Sequence, residues 1–556
     1  MRHCNHATHV RRSAEARVPG VRKVNPLSLR IQPAVLAILV ICATPATAQL
    51  TVGGKLETKR VLPQPMHVVE EVRSYRLANE DRIIRELREF LSIPNIASDA
   101  PNIERNAARL KEMLEARGIE THLLSIEGRG PVVFGKLDTL GATRTTIFYA
   151  HYDGQPVDPS AWTDKSPFIP ILRDNSIEAG GKPIPFPDSP GASNAYQDDW
   201  RIYARSASDD KSPIVALLAA LDALRAKNIP IAVNLKFILE GEEEAGSTHL
   251  QQTLQLHKNL LQADLLITGD GPVHQSGRPL VFFGNRGAIG LDITVYGPTR
   301  SLHSGHYGNW APNPAMQLAQ LLASMKDQNG RVTIPGYYDD VVPLSPLEQA
   351  ALNAMPFNDP ELQRELGIAQ PDGNGKKLVE LLQEPSLNIR GLRSANVGEH
   401  ANNVVPDKAE ASLDLRLVKG EDPKVKFEQV AAFIRKQGFY VVDHEPSLDE
   451  RRQHPRVTKV VPDDFGYPAS RTPMDLPVCK TVVRVMQQAT NDQTVVAPLL
   501  GGSVPMYIFE DLRLPWIGVP IVNYDNHQHS SDENLRLGNL WSGIETYSVL
   551  LADLDW

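Results

Sequence analysis

Apolar segments of strand length alternate with helical segments along most of the chain. Residues 145–150 form a short run of β-branched and aromatic residues, which predicts a buried strand. Ser212-Pro213 resembles a helix N-cap followed by proline at the first helical position, so an apolar helix is predicted to begin there. Strands that alternate with helices predict an α/β fold with a largely parallel sheet. The predicted elements of this region are helices over 102–117 and 212–227 and strands over 145–150, 233–239 and 264–268.

A different pattern begins near Arg286, where strands and helices predict a compact α+β unit with a polar insertion around 340–395. Long helix and apolar strand return after about residue 470. The simplest architecture is therefore a catalytic domain over 68–285 and 470–556, interrupted by an inserted domain over 286–469. The predicted elements of the inserted domain are strands over 290–296, 411–418 and 439–442 and helices over 313–325 and 422–437.

The first 48 residues have the pattern of a secretory signal peptide. A basic stretch precedes an unbroken apolar run at residues 34–43, and Ala46-Thr47-Ala48 matches a small-residue cleavage site before Gln49. The apolar run is much shorter than the roughly 20 residues that a membrane-spanning helix needs. We therefore expect an exported protein, periplasmic or secreted, with residues 49–67 as a polar linker. The alternative is that the leader stays in place as an N-terminal anchor.

Composition excludes several classes of protein. The 556 residues include 58 Lys+Arg and 66 Asp+Glu, with 42% hydrophobic residues, a globular balance that excludes wholesale disorder. The leader holds seven basic residues and one acidic residue, so the rest of the chain has a formal charge of −14 rather than −8. This acidic balance gives no support for nucleic-acid binding. No second apolar run approaches spanning length, so no membrane association is expected once the leader is cleaved.

Cysteine usage excludes a disulfide-based scaffold. Two of the three cysteines, Cys4 and Cys42, lie in the leader, and Cys479 alone cannot form an internal disulfide. An exported protein without disulfides must depend on a large apolar core or on bound metals.

Acidic and histidine residues gather near the ends of the predicted strands, where functional sites of α/β sheets lie. Singly, each cluster has an ordinary explanation, such as a loop histidine, a helix start, a solvated charge run or a turn. Together they place many carboxylates at one edge with no basic excess beside them, so a neutralising charge is needed. Divalent metal supplies it, and mixed His and carboxylate ligation suits zinc. The clusters are His151-Tyr152-Asp153, Asp209-Asp210-Lys211, Glu242-Glu243-Glu244, Thr268-Gly269-Asp270 and His527-Gln528-His529.

The order of these motifs resembles the dizinc metallopeptidase family of carnosinase, bacterial dipeptidases, aminoacylase and succinyl-diaminopimelate desuccinylase. The resemblance extends from about residue 70 to residue 556. It implies an α/β catalytic domain with a mostly parallel mixed sheet. It also implies an inserted α+β, ferredoxin-like domain that acts as a lid and as a dimerisation domain, and hence a homodimer.

The resemblance assigns the metal ligands one by one. His151 and Asp270 would hold one zinc ion, and Glu244 and His529 would hold the other. Asp209 would bridge the two metals, since a carboxylate offers two oxygens. Cobalt or manganese could replace zinc as the working metal.

Two further carboxylates have implied roles in catalysis. Asp153 would lie behind His151 and orient its ring, and Glu243 would be the general base. Glu242 is the ambiguous neighbour. Alignment on the family pattern Gly-x-Glu-Glu-x-Gly-Ser assigns the base to Glu243 and the ligand to Glu244.

The last metal ligand also has two candidates, His527 and His529. The family spacing His-Ser-x-x-Glu favours His529, with Glu533 as the trailing acid.

Residues of the lid and of a late glycine turn are implied in substrate binding. His303, in a His-Ser-Gly motif, would stabilise the oxyanion, and in relatives it comes from the partner subunit. Asn403 matches a lid position that contacts substrate. Arg416 would bind a C-terminal carboxylate through its planar guanidinium. Gly502-Ser503 resembles the glycine turn beside that carboxylate.

Three features depart from the family pattern. Ala204-Arg205-Ser206 replaces Gly-Arg-Gly before the bridging aspartate, Ser212 replaces a glycine, and an extra segment lies near 178–197. These departures remove no predicted ligand, so we expect them to affect specificity more than catalysis.

The leading expectation is an exported dizinc hydrolase that cleaves the amide bond of dipeptides or short peptides. Asp270 favours this reading, because carboxypeptidase and deacylase relatives tend to have glutamate at that position. The first alternative is an N-acyl-amino-acid amidohydrolase or carboxypeptidase on the same scaffold. The second is a metal-stabilised binding protein without catalysis, against which Glu243, Asp153 and His303 argue.

Overall fold

The computed structural model describes residues 65–126, 130–187, 196–510 and 512–556. The predicted signal peptide and most of the predicted linker lie outside the described residues. Among the described helices, none is long and apolar enough to cross a membrane. The helices are α1 (Pro65–Leu91), α2 (Ala100–Glu115), α3 (Lys211–Ala226), α4 (Leu250–Leu256), α5 (Ser304–Tyr307), α6 (Pro314–Ala323), α7 (Pro346–Ala354), α8 (Asp359–Glu365), α9 (Leu378–Leu381), α10 (Pro423–Lys436), α11 (Leu448–Gln453), α12 (Pro477–Ala489), α13 (Tyr507–Glu510) and α14 (Leu537–Asp553).

The described strands include six that agree closely with the predicted apolar runs, and others that were not predicted, among them the long strands Ser386–Ser394 and Val457–Tyr467. They are β1 (Glu120–Leu124), β2 (Val132–Leu137), β3 (Thr145–His151), β4 (Ile171–Arg173), β5 (Pro183–Ile184), β6 (Arg201–Tyr203), β7 (Asn234–Glu240), β8 (Leu265–Thr268), β9 (Leu280–Phe282), β10 (Gly284–Asn285), β11 (Gly287–Tyr296), β12 (Leu302–His303), β13 (Ser386–Ser394), β14 (Val404–Val405), β15 (Lys408–Leu417), β16 (Tyr440–Val442), β17 (Val457–Tyr467), β18 (Ser470–Arg471), β19 (Val495–Ala497), β20 (Trp516–Gly518) and β21 (Asn534–Arg536).

The main sheet has the strand order β1-β2-β7-β3-β8-β20-β9-β19. Its centre, from β7 through β20, is parallel, and antiparallel pairs occur at β1-β2, β2-β7 and β20-β9. Successive residues of β3 point to opposite faces of the sheet. Phe148 belongs to the apolar core formed with α1, α3 and α14, and Tyr149 belongs to the core formed with α4 and α13. Both faces of the sheet are covered, which explains why its central strands are continuous apolar runs. The predicted α/β class is confirmed.

A second sheet, β13-β15-β11-β17-β16, has its own apolar core. It is antiparallel except for the β16-β17 pair. Leu413 and Leu415 of β15 face α6 and α10, whereas Asp414 and Arg416, on the opposite face of the strand, are only half-buried. Two helices on one face of an antiparallel sheet confirm the predicted α+β unit.

The structure corrects the sequence prediction in two places. The segment 340–395, predicted as a polar insertion, contains three short helices and the whole of β13. Most of β13 is exposed at the edge of its sheet, so the apolar signal that marks a strand is weak there. The second correction concerns α1, which begins at Pro65, so the last three residues of the predicted linker are helical.

Candidate active site

The carboxyl ends of three neighbouring parallel strands form one edge of the main sheet. β3 ends at His151, β7 ends at Glu240, and β8 ends at Thr268, two residues before Asp270. Asp209 lies in the loop that precedes α3, and its peptide bond to Asp210 is cis. The topology therefore brings together the side chains that the motifs singled out, as expected for the carboxyl edge of an α/β sheet.

Two trios of potential metal ligands lie at this edge, and they share Asp209. Among the described residues, His151, Asp209 and Asp270 form one trio and Asp209, Glu244 and His529 form the other, with the potential ligand atoms of each trio within 4.8 Å of one another. The Oδ1 atom of Asp209 lies 2.9 Å from Nε2 of His151, and its Oδ2 atom lies 3.1 Å from Nε2 of His529. One carboxylate thus presents a different oxygen to each trio, the geometry of a bridging ligand.

The ligand residues of the two trios differ in their exposure to solvent. The side chain of His529 is 60% exposed, whereas His151, Asp209 and Asp270 are buried. Nε2 of His529 also lies 3.4 Å from Oε2 of Glu244. Substrate can therefore approach beside His529, while the other ligands form the floor of the site.

The cluster holds more negative charge than the protein itself compensates. Burial raises the pKa of Glu244 to about 7 and that of Asp270 to about 6, and the charge of Asp209 adds to both shifts. Burial also raises the pKa of Glu243 well above its ordinary value. Two divalent cations would supply the missing positive charge, and a set of imidazole nitrogens and carboxylate oxygens fits such ions.

Hydrogen bonds with Asp209 raise the pKa of the two histidines and lower the pKa of Asp209. Burial disfavours the charged form of His151, but bonds with Asp153 and Asp209 raise its pKa well above the ordinary value. The bond with Asp209 raises the pKa of His529 to about 9. Burial alone would raise the pKa of Asp209, but its two histidine partners hold that pKa far below the usual range. Without metal, the histidines act as the counter-charges of Asp209.

Asp153 contacts both sides of the site from behind. It is fully buried, and its Oδ1 atom lies 3.4 Å from Nδ1 of His151, the ring that it is expected to orient. Its two oxygens also accept the backbone N–H groups of Glu243, at 3.1 Å, and Glu244, at 3.0 Å. Nothing in the motif indicated this second contact, which fixes the peptide that carries the predicted base and a predicted ligand.

The run of three glutamates divides into three environments. Glu244 belongs to a metal trio and accepts a hydrogen bond from Nε2 of Gln155 at 2.7 Å, a contact that the motifs did not indicate. Glu242 instead contacts Nδ1 of His249 at 2.8 Å, outside the cluster. Within the described part of the chain, the carboxylate of Glu243 has no hydrogen-bond or ion-pair partner. A partnerless carboxylate beside the two trios is available to accept a proton.

The structure places His529 in the cluster and His527 outside it. The side chain of His527 lies 3.4 Å from Oε1 of Glu178, which belongs to the extra segment. Of the two candidates, His529 therefore lies among the potential ligands, and it is the one that the motif spacing favours.

The predicted substrate-binding residues form two separate groups. Arg416 of β15 donates a hydrogen bond from Nη1 to Oγ of Ser503 at 3.1 Å, and the carbonyl of Gly502 accepts the N–H of Arg286 at 3.2 Å. The exposed His303 of β12 lies near the exposed Asn403, which directly precedes β14 and whose carbonyl accepts the N–H of Ser304 at 2.9 Å. Among the described residues, no hydrogen bond or ion pair joins His303 or Asn403 to either metal trio.

Comparisons with known proteins agree with this geometry. Residues 283–440 match a family model described as a peptidase dimerisation domain. The chain is 25% identical over 503 residues to the Cys-Gly metallodipeptidase of Schizosaccharomyces pombe, a match that covers 85% of this chain and 96% of that protein. It is 23% identical over 518 residues to the human Beta-Ala-His dipeptidase, covering 88% and 93% of the two chains.

The solved structure of an M20 family metallo-carboxypeptidase from Sulfolobus solfataricus has the same fold, with a TM-score of 0.68 and 28% identity over 85% of this chain and 99% of that one. The motif order, the shared carboxylate at the strand ends and these matches lead to one conclusion. The chain is similar to M20 family peptidases in its dimerisation domain, its motif order and its fold, and these similarities identify it as a hydrolase.

Proposed function

We propose that the protein is an exported two-metal dipeptidase. The observation that carries the proposal is Asp209, whose two oxygens face two separate ligand trios beside the partnerless carboxylate of Glu243. The similar proteins from Schizosaccharomyces pombe and human are named as dipeptidases, which supports a dipeptide as the substrate. Asp270 supports the same choice, as expected from the motif.

The ligand set suits two zinc ions, held by His151 and Asp270 on one side and by Glu244 and His529 on the other. When bound at such a site, paired divalent cations lower the pKa of a shared water and stabilise the oxyanion that develops. Glu243 would act as the general base, accepting a proton from the attacking water and delivering it to the leaving amine. Asp153 would keep Glu243 in place, because it holds the backbone N–H of that residue.

The second group of residues would bind the carboxylate end of the peptide. Arg416 contacts Ser503 beside Gly502, so a guanidinium, a hydroxyl and a turn backbone lie at one place. A planar guanidinium can bind a carboxylate with two parallel hydrogen bonds. A free C-terminus would therefore be positioned by charge as well as by shape.

His303 would act on a second copy of the chain. Its imidazole is exposed, and its Nδ1 atom accepts the N–H of Gly305 at 3.0 Å, so Nε2 carries the proton and can donate to an oxyanion. The matched dimerisation domain includes this residue, which supports delivery of His303 and Asn403 to the partner subunit. The proposal therefore includes a homodimer formed through the lid.

Export is proposed from the leader, whose basic stretch, apolar run and cleavage pattern have the order of a signal peptide. Expression of the full chain in a bacterium, followed by fractionation and N-terminal sequencing, tests this part. A periplasmic protein that begins near Gln49 is expected. An uncleaved, membrane-bound chain would contradict cleavage and favour the anchor.

Purified protein loaded with Zn²⁺ and assayed on dipeptides, C-terminally extended peptides and N-acyl amino acids tests the activity, with bound metal quantified in the same samples. Hydrolysis of free dipeptides with two metals per chain is expected. Preference for extended peptides or N-acyl amino acids would favour the carboxypeptidase or amidohydrolase alternative, which the Sulfolobus solfataricus structure makes a serious candidate. Two bound metals with no turnover of any substrate would indicate a binding protein.

A further inference from the structure

Glu533 is a buried carboxylate that contacts the loop carrying Asp209. Its Oε1 atom accepts the backbone N–H groups of Ser208 and Asp209, both at 2.9 Å. Its Oε2 atom accepts the N–H of Ser206 at 2.9 Å and a hydrogen bond from Nη1 of Arg205 at 2.7 Å. The side chains of Glu533 and Arg205 are 0% and 3% exposed. All four donors come from the five residues that end at Asp209.

The same carboxylate belongs to the loop that carries His529. Asn534 donates its N–H to the carbonyl of Asn526 at 2.8 Å, which closes the loop around His529. Two more bonds join the two loops, from the N–H of Ala204 to the carbonyl of Glu533 at 3.1 Å and from Oγ of Ser208 to the carbonyl of Asn534 at 2.6 Å. Glu533 thus connects the segment of Asp209 to the segment of His529.

Both loops contain backbone conformations that need such support. Ser206 has a φ of 63°, and in the other loop His529 and Asp532 both have a φ of 59°. Residues other than glycine adopt this left-handed region only when surrounding contacts hold them there. Each loop therefore depends on its contacts to keep its ligand in place, and the Glu533 carboxylate accepts four of the hydrogen bonds that join the two loops.

We propose that Glu533 is a positioning residue that sets the separation of Asp209 and His529, and so the affinity of the trio Asp209, Glu244 and His529 for its divalent metal. The inference rests on the proposed metal centre. Among the described residues, no hydrogen bond joins Glu533 to a predicted substrate-binding residue, and it acts through the peptide N–H of Asp209 and through the loop of His529. Loss of a partner that orients metal ligands lowers metal affinity by roughly 10- to 100-fold.

The test compares Glu533→Gln with a matched control, Asp525→Asn. Asp525, directly before the loop of His529, also pairs with a buried arginine, with its Oδ2 atom 2.7 Å from Nη2 of Arg201 in β6, but it does not contact the loop of Asp209. Zn²⁺ affinity is measured for each site by chelator competition, and the visible spectrum of the Co²⁺-loaded protein reports ligand geometry. Glu533→Gln should weaken one of the two sites by roughly 10- to 100-fold and change the Co²⁺ spectrum. Asp525→Asn should do neither.

Equal Zn²⁺ affinities and Co²⁺ spectra for the two variants would overturn the inference while leaving the proposed function intact. A wild-type protein that binds no divalent metal would overturn both. If Glu533→Gln yields no folded protein, Arg205→Met is tested instead. This variant removes one of the four donors to the Glu533 carboxylate and keeps the three backbone N–H donors. A several-fold weaker site in Arg205→Met supports the inference, and an unchanged affinity overturns it.

Discussion

Replacing Asp153 with asparagine changes one buried oxygen into an NH₂ group in a place where the neighbours only donate. Three donors surround the carboxylate: Nδ1 of His151 at 3.4 Å and the backbone N–H groups of Glu243 and Glu244 at 3.1 and 3.0 Å. Asparagine has one acceptor oxygen, so in either orientation its NH₂ group faces at least one N–H donor. The substitution is nearly isosteric, so it tests hydrogen bonding and charge rather than packing.

The cost follows from these contacts. Leaving one buried backbone N–H without an acceptor costs about 1–3 kcal/mol, and losing a charge-assisted bond to His151 costs about 1.5–3 kcal/mol more. We therefore expect the free energy of unfolding to fall by about 2.5–6 kcal/mol, a large part of the 5–15 kcal/mol typical of a folded protein. Because the displaced peptide carries Glu243 and Glu244, kcat/KM should also fall by roughly 10- to 100-fold, as for other residues that orient metal ligands.

Urea unfolding followed by tryptophan fluorescence, together with kcat/KM on the best dipeptide, provides the measurement. Asp264→Asn is the matched control, because Asp264 accepts the N–H of Thr145 at 2.8 Å at the opposite end of β3, away from the site. That variant should lose some stability and keep its turnover per folded molecule. The reasoning is refuted if Asp153→Asn unfolds at the same urea concentration as the control and keeps wild-type kcat/KM.

Three further predictions concern the base, the lid and pH. Glu243→Gln should keep both metals and lose about 10²-fold or more in kcat, as for a lost general base, whereas loss of metal would show that Glu243 is a ligand. His303→Ala should keep its metals and lower kcat, and random mixing with Glu243→Gln should restore about a quarter of wild-type activity if His303 acts across a two-fold dimer, and none if it acts within its own subunit. Metal-free protein should lose thermal stability as pH rises from about 5 to 9: folded Glu244, Asp270 and His529, with pKa values of about 7, 6 and 9, keep protons that the unfolded chain releases at lower pH. Differential scanning fluorimetry checks this, with added Zn²⁺ raising Tm more at pH 8 than at pH 6, and a Tm that rises with pH would contradict the assignment.

Much of the fold follows from the hydrophobic pattern because the main sheet is covered on both faces. β3, β7 and β8 are then nearly continuous apolar runs, and each was predicted to within two residues. β13 was missed because most of its residues are exposed at a sheet edge, so an apolar run could not mark it. Edge strands and short strands take their identity from neighbours distant in sequence, which a local pattern does not contain.

The residues of the site were predictable from their position at strand ends, but their partners were not. The sequence shows that Asp209 and His529 are of a ligand type, and it contains nothing that brings them together across 320 positions. Asp153 and Glu533 share this property. Each is an acid near a predicted ligand, and its main contacts are backbone N–H groups of another loop. Such contacts carry no residue-type signal, because every residue except proline offers the same N–H group.

The departures from the family pattern were expected to affect specificity, and they lie at different distances from the exposed side of the site. Ser206, where the resemblance implies glycine, has a φ of 63°, and its hydroxyl accepts a hydrogen bond from Nδ2 of Asn95 at 2.8 Å. A methyl group on Gly154 would lie 2.4 Å from that hydroxyl, so the serine fills space beneath the site.

Ser212 is buried in the first turn of α3, also away from the opening. Among the described residues of the extra segment, Glu178 contacts His527, two residues before the exposed His529. Because His529 is the exposed ligand and Glu178 contacts its neighbour His527, we expect a difference in substrate preference from the relatives to originate at Glu178 rather than at the buried Ser206 or Ser212.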